Sequence, residues 1–326
     1  PANSAAPFLS MCSAPPFFFP TPPIVPASST ESKRLFFRMI SFALAAAFLY
    51  DSQERSIFAS HPIAKDVSRC MAVVITARSN ERIKQARALL QAKERRTRGL
   101  HLIEGEKLLI EAVSSGCTPE EVFLEDGYSL PPELPHDLPV QLVSRSVLES
   151  LTVSATPQHV AAVVRTPDLT PPDIYPDGLA VVLDCVQDPG NVGTILRTAD
   201  ALGASCVLLG AGSADAFSGK TLRAAMGSSY HLPLYTGDAA AELRRMREQG
   251  FLCIAGHLRG SESLPPLKTK TALVIGSEGN GVSDEVAALC ALYRLPMRGR
   301  AESLNAAVAA ALLLYELSNR IYGGIA

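Results

Sequence analysis

The chain has 326 residues, 47% hydrophobic and 19% charged, with a formal net charge of −2. Such a length and apolar content can build more than one core at ~100–200 residues per domain, and the near-neutral balance creates no chain-wide field for nucleic acid. Seven scattered cysteines, with no C-x-x-C pair and no histidine at ligand spacing, argue against structural zinc and for a reducing compartment; no metal is expected.

Residues 1–34 carry eight prolines and one acidic residue, a composition that predicts disorder. The apolar run from Met39 to Tyr50 is shorter than the ~20 residues of a membrane-spanning helix, so no membrane association is expected. Flanked by Lys33, Arg34 and Arg38, it reads as a signal-peptide core, as part of an organellar transit peptide, or as sequence upstream of a start at Met71. A bacterial-type cytoplasmic protein starting at Met71 is the first expectation, and a plastid or mitochondrial one with 1–70 removed is the alternative. Residues 1–70 are set aside as a disordered, targeting or untranslated-type extension.

From 71 to 165 the pattern is mixed α/β. Asn80 is placed to cap a helix whose stripe is Ile83, Ala86, Leu89 and Leu90. The opposite face is basic: Arg78, Arg82, Lys84, Arg87, Lys93, Arg95, Arg96 and Arg98 are opposed only by Glu81 and Glu94, a local field suited to phosphate. A strand at 100–105, a helix at 106–116 closed by Gly116, strands at 121–126, 140–144 and 159–165, and a short helix at 144–151 follow. Four short strands interleaved with helices predict a small compact α/β sandwich. The stretch 166–178, with four prolines and no apolar period, reads as a linker.

Beyond it, from 179 to 326, strands of continuous Val, Leu and Ile alternate with helices, which predicts a mostly parallel sheet covered on both faces. Three polar islands follow strand-like runs, at 188–203, 273–281 and 295–317, where an open α/β sheet builds its ligand site. In the first, Pro189 and Gly190 read as a turn, with Asn191, Gly193 and Arg197 on the opening turns of a helix; free N–H groups there and the planar Arg197 fork suit a phosphate. The second, GSEGNG, has neither the order of a dinucleotide loop nor that of a P-loop, and places Glu278 among three glycines that admit close backbone approach. In the third, Ser303 is placed to cap a long Ala/Leu helix from about Glu302, with Asn305 inside its first turn; such a helix is buried all round, in a core or against a partner.

Taken together, N-x-G-x-x-x-R-T-A from Asn191, V-I-G-S-E-G-x-G from Val274 and L-P-M-x-G-x-x-x-S-L-N-x-x-V-A-A from Leu295 resemble the three ordered motifs of the SpoU/TrmH family of RNA ribose 2′-O-methyltransferases, of the SPOUT superfamily. The segment from Ile83 to Val113 is similar to that family's N-terminal substrate-binding domain, itself like a ribosomal-protein RNA-binding fold. The resemblance implies a trefoil knot in the C-terminal portion of the sheet, an exception to the rule against knots. It also implies S-adenosylmethionine held in the knot by Gly276, Leu295 and Leu304, with Ile275, Gly281 and Met297 beside them, and a homodimer formed through the knotted domain. The family often carries a second Ser after the Asn of the third motif, where this chain has Ala306 and Ala307.

The reaction implied is in-line attack of a ribose 2′-oxygen on the sulfonium methyl, accelerated chiefly by positioning. Arg197, Asn191, Glu278, Ser303 and Asn305 are the expected catalytic set. A guanidinium offers no proton vacancy at neutral pH, so Arg197 is expected to bind the adjacent phosphate and steady the attacking oxygen, with Asn191 orienting it and Glu278 positioning Arg197 or an interfacial partner. Ribosomal RNA is the expected substrate, by analogy. The alternatives are transfer RNA or an RNA-binding member of the same fold without catalysis. A nucleotide-dependent oxidoreductase is disfavoured for want of an acidic ribose ligand, and a hydrolase for want of a G-x-S-x-G elbow.

Overall fold

The computed structural model describes residues 73–152, 154 and 156–323; the 1–70 extension lies outside them. In chain order the elements are α1 (Glu81–Ala88), α2 (Ala92–Arg98), β1 (Leu100–Glu104), α3 (Glu106–Ser114), β2 (Pro119–Glu125), β3 (Val140–Val143), α4 (Arg145–Glu149), β4 (Val160–Arg165), β5 (Leu179–Asp184), α5 (Pro189–Ala201), β6 (Cys206–Gly210), α6 (Gly219–Ala225), α7 (Ser228–His231), β7 (Leu234–Gly237), α8 (Ala239–Glu248), β8 (Leu252–Ser261), β9 (Thr271–Gly276), α9 (Asp284–Ala287), β10 (Ala291–Tyr293) and α10 (Ala306–Tyr322). No helix among the described residues is long and apolar enough to cross a membrane.

The first four strands form a mixed sheet in the order β1-β4-β2-β3, with β2 and β3 parallel and the other pairs antiparallel. Its two faces follow from the period of two. Along β4, Ala161 and Val163 pack with Ile83, Ala86 and Leu89 of the α1 end and with Val147 and Leu148 of α4. Val160, Ala162 and Val164 face the other way, with Leu108, Leu109 and Ala112 of α3. Asn80 caps α1 as expected, accepting from the Arg82 N–H at 3.0 Å. The helix then breaks at Leu89, and α2 is a separate element ended by Gly99 in the left-handed region.

The other six strands are all parallel, in the order β10-β8-β9-β5-β6-β7. Strand β5 alternates between two cores: Leu179, Val181 and Leu183 pack on the α5 and α10 side, Ala180 and Val182 on the α8 side. The α3 face of the first sheet and the α5 face of the second share one continuous apolar cluster. The stretch 166–178 joins the sheets but runs packed along the second: Tyr175 is fully buried and donates its hydroxyl to Glu242, and Thr236 donates its N–H to the Leu169 carbonyl.

Chain order reverses where β9 lies beside β5. In a parallel sheet this opens a crevice beyond the strand carboxyl ends, where ligands bind. The first and second islands leave the sheet at these two strand ends.

Candidate active site

The first island departs from expectation at its start. Pro189 and Gly190 are not a turn; they open α5, and Asp188 is its cap, accepting from the Asn191 N–H at 2.9 Å. Proline suits the first helical position because its absent N–H would have no partner there. Lys220 clamps the other Asp188 oxygen at 2.7 Å, and that bond holds the carboxyl below its usual pKa range. Gly193 serves packing: a Cβ there would lie 2.4 Å from the Thr221 carbonyl oxygen and 2.6 Å from the Ala224 Cβ, so α5 and α6 touch through it.

The second island folds into a five-residue loop closed by mutual Ser277–Gly281 backbone bonds of 3.0 and 2.9 Å. Gly276 is required by this closure, since a Cβ on it would sit 2.1 Å from the Gly281 carbonyl carbon. The loop is tied down at its far end by Asp184, whose carboxylate accepts the Ser283 N–H at 2.7 Å.

In the third island Ser303 is not the cap and Asn305 is not inside the helix. Asn305 caps α10, accepting the N–H groups of Ala307 and Val308 at 2.9 and 3.2 Å, while Ser303 lies exposed in the irregular segment before it. The local reason is that 301–304 are all exposed, and apolar packing begins at the buried Ala306 and Ala307. This also explains the departure at Ala307: the position supplies a backbone N–H to Asn305, which any residue but proline offers, and its side chain belongs to the core.

The three islands meet through side chains. Asn191 donates from Nδ2 to Glu278 Oε1, and Asn305 donates from Nδ2 to Asn191 Oδ1 at 3.1 Å. A carboxylate only accepts, so Glu278 sets the orientation of the Asn191 amide, which in turn sets that of Asn305. Each amide keeps one N–H for a further acceptor. Glu278 therefore bonds Asn191 and not Arg197. Arg197 is exposed and makes no hydrogen bond or ion pair among the described residues. Of the expected donor-binding residues, Ile275 is buried at the end of β9, Gly281 lies in the left-handed region, Leu295 is partly buried against the core, and Met297 and Leu304 are exposed.

The basic set divides. Arg95 does not lie on the exposed basic face expected for it: it is 8% exposed, bonds Asp215 at 2.7 and 2.8 Å and donates to the Leu89 and Leu90 carbonyls, so it braces the two sheets. Arg82 is paired with Glu121, Lys84 with Glu81, and Arg78 and Arg98 donate to backbone carbonyls. Arg87, Lys93 and Arg96 are exposed and carry no such pair among the described residues. The sequence reading missed Asp188 and Lys220; the Asp-Pro-Gly spelling was the available signal for the first, and nothing local marks the second.

Near that brace His101 is fully buried, its ring nitrogens 3.0 Å from the Thr166 hydroxyl and 2.8 Å from the Tyr230 hydroxyl. Burial, reinforced by Arg95 and opposed by Asp215, lowers its pKa to about 3. No cluster of metal-ligating side chains occurs among the described residues.

Residues 178–315 match the SpoU rRNA Methylase family, and residues 80–162 match the MRM3-like substrate binding domain. The chain is 36% identical over 246 residues to the 23S rRNA (guanosine(2553)-2′-O)-methyltransferase RlmP of Bacillus subtilis, covering 74% of this chain and 98% of that one. It is 32% identical to the 23S rRNA (uridine(2479)-2′-O)-methyltransferase of Streptomyces viridochromogenes, covering 76% and 93%. Among solved structures, the AdoMet-bound rRNA methyltransferase of Sinorhizobium meliloti superposes with a TM-score of 0.68 at 33% identity, covering 76% of this chain and 98% of that one.

Proposed function

Because the chain belongs to the SpoU rRNA methylase family, we propose that it transfers a methyl group from S-adenosylmethionine to a ribose 2′-hydroxyl of RNA, ribosomal RNA being the favoured class. The observation that carries this is the directional chain Glu278–Asn191–Asn305, which ties all three motifs together at the sheet's switch point.

The methyl donor is assigned to the second island and the segment before α10. Gly276, Gly279 and Gly281 leave three positions of the loop without a side chain, and Leu295, Met297 and Leu304 are assigned to the adenine as apolar surface. The bound donor supplies an electrophilic methyl on a sulfonium. The free N–H of Asn191 is assigned to the ribose oxygen, and that of Asn305 to holding the acceptor against the donor site. Arg197 is assigned to the neighbouring phosphate, where its charge also steadies the attacking oxygen. Ser303, exposed in the segment before α10, is assigned a contact to substrate.

Residues 71–165 are assigned to RNA binding and 179–326 to methyl transfer, joined by 166–178; the separate family matches support this division. The knot is assigned to the path from β9 out to β10 and back through α10, supported by the return of α10 onto α5, β9 and β5. A homodimer through α10 is supported by its stripe of Val308, Leu312 and Tyr315, 50%, 49% and 57% exposed at helical spacing. Calorimetric titration with S-adenosylmethionine, followed by labelled methyl transfer to ribosomal and transfer RNA, tests the proposal. Binding and ribose methylation of ribosomal RNA are expected; binding without transfer to either RNA would favour the RNA-binding reading instead.

A further inference from the structure

The cations of residues 179–326 are mostly matched to carboxylates. Beside the third island Arg294 pairs with Glu262 at 2.6 Å and Arg259 approaches Asp284 at 3.6 Å, and on α10 Arg320 pairs with Glu316 at 2.9 Å. Arg298 and Arg300 break that pattern. Both are exposed, and neither forms an ion pair or a hydrogen bond among the described residues, although Glu302 stands two positions after Arg300.

The fold does not call for either arginine. From Pro296 to Asn305 every residue is exposed, and a Cβ on Gly299, between the two, would meet nothing within 4 Å. Core packing resumes at Ala306. Two guanidiniums separated by one glycine and left without a counter-charge repel each other, so the free protein gains no stability from the pair. A bound anion would remove the repulsion.

Position indicates which anion. The segment ends at Asn305, which donates to Asn191 on α5, the helix that carries Arg197. Arg300 precedes Asn305 by five positions, a chain length of at most ~18 Å. Arg197 is itself exposed and unpaired, so three uncompensated guanidiniums belong to two segments that the Asn305–Asn191 bond holds together. Acids of the motifs are already engaged: Glu278 accepts from Asn191, and Asp188 holds Lys220. In a chain of net charge −2 this leaves a local excess of positive charge on the bonded motifs. One methyl donor carries a single carboxylate, too few for three guanidiniums. A nucleic-acid strand presents a phosphate at every nucleotide, and a guanidinium fork binds phosphate through two N–H groups.

Resting on the reading that the substrate is RNA, we propose that Arg298 and Arg300 bind backbone phosphates of the RNA strand beside the target nucleotide. The segment before α10 then holds both reactants, the donor through Leu295, Met297 and Leu304 and the RNA through its arginines. This contact is separate from that of the α1–α2 cations Arg87, Lys93 and Arg96.

The test titrates the full chain with a labelled uridine dodecamer by fluorescence anisotropy, from about 50 to about 200 mM KCl. Each phosphate contact on a single strand contributes about 0.7 to the slope of log affinity against log salt. The double variant Arg298→Gln, Arg300→Gln is expected to lose about 1.4 from that slope and to bind about tenfold more weakly at about 100 mM KCl. Arg298→Lys with Arg300→Lys should recover most of the slope, because an ammonium releases counterions as a guanidinium does. Both positions are exposed, so both variants should melt like wild type. Arg247→Gln removes another exposed cation without a pair among the described residues, on α8, which packs on the opposite face of the sheet from α5 and α10. It should leave the slope unchanged. An unaltered slope in the double variant, or an equal loss from Arg247→Gln, overturns the proposal. So does a double variant that loses S-adenosylmethionine affinity in calorimetry while keeping its slope, which would give the arginines to the donor carboxylate. Methyl transfer is scored separately: a wild type that methylates RNA while the double variant keeps the full slope refutes the arginine contact alone, and one that shows the expected slopes without transfer refutes the proposed activity alone.

Discussion

Arg197 is the side chain on which the proposed chemistry turns, because it is exposed on α5 while the neighbouring polar groups of the motifs are bonded to one another. Its substitution should spare the fold and the donor site. Arg197→Ala is expected to lower kcat for methyl transfer about 100-fold or more, the scale of losing one charge-stabilising donor, with S-adenosylmethionine affinity by calorimetry unchanged. Arg197→Lys should recover only part, since a point charge replaces a planar fork; recovery to the wild-type rate would exclude the fork as the working feature. At the same scale, His101 should make stability depend on acidity. Its pKa is about 3 folded against 6.5 for the free group, so the unfolded chain binds the extra proton. Its contribution is complete above pH 6.5 and is lost as pH falls from 6.5 towards 3. The facing groups are Asp215, Arg95 and Tyr230, and His101→Gln should flatten the fall in Tm between pH 6.5 and 4.5 relative to wild type. His231, raised by its bond to Asp200 and by Glu111, acts with the opposite sign, adding stability as pH falls through its folded pKa. The comparison with His101→Gln at each pH separates the two.

At the scale of elements, the boundaries of the islands came from packing that local spelling underdetermines. Asn305 was legible as a polar residue at a helix entrance, but Ser303 is an equally good cap by type. The choice fell to Asn305 because Ala306 is the first residue the core buries. Strand β7 was not read from sequence: only four residues long, it is defined by pairing with β6, a long-range bond with no local periodicity. The α5–α6 contact is similar. Gly193→Ala should raise helix propensity by about 1 kcal/mol and still destabilise, because overpacking against the Thr221 carbonyl costs about 1–3 kcal/mol. A Tm lowered by a few degrees is expected in thermal denaturation, and a raised Tm would show that α5 and α6 separate freely.

For the whole molecule, the sheets are joined by a buried Arg95–Asp215 pair, the His101–Tyr230 bond and a continuous apolar cluster, so the basic α1–α2 face is held in a fixed relation to the motif loops. This bears on how RNA is presented: a fixed platform meets a fixed site. The stripe on α10 bears on assembly. Leu312→Asp is expected to convert a dimer to a monomer in sedimentation analysis, and unchanged sedimentation would place the interface elsewhere.

The sequence by itself determined the fold class of the C-terminal sheet, the three motif positions and the family, because continuous apolar strands, helical periods and short spaced motifs are properties of neighbours along the chain. It also singled out Asn191, Glu278 and Asn305 as candidates without revealing that they bond one another, since 87 and 114 positions separate the bonded pairs. Only the tertiary structure decided which cations are free, since burying Arg95 depends on an Asp 120 positions away. It alone brought Glu104 of β1 beside Arg223 of α6. Spacing along a chain reports which face a residue shares with its neighbours; charge pairing is settled by which faces meet.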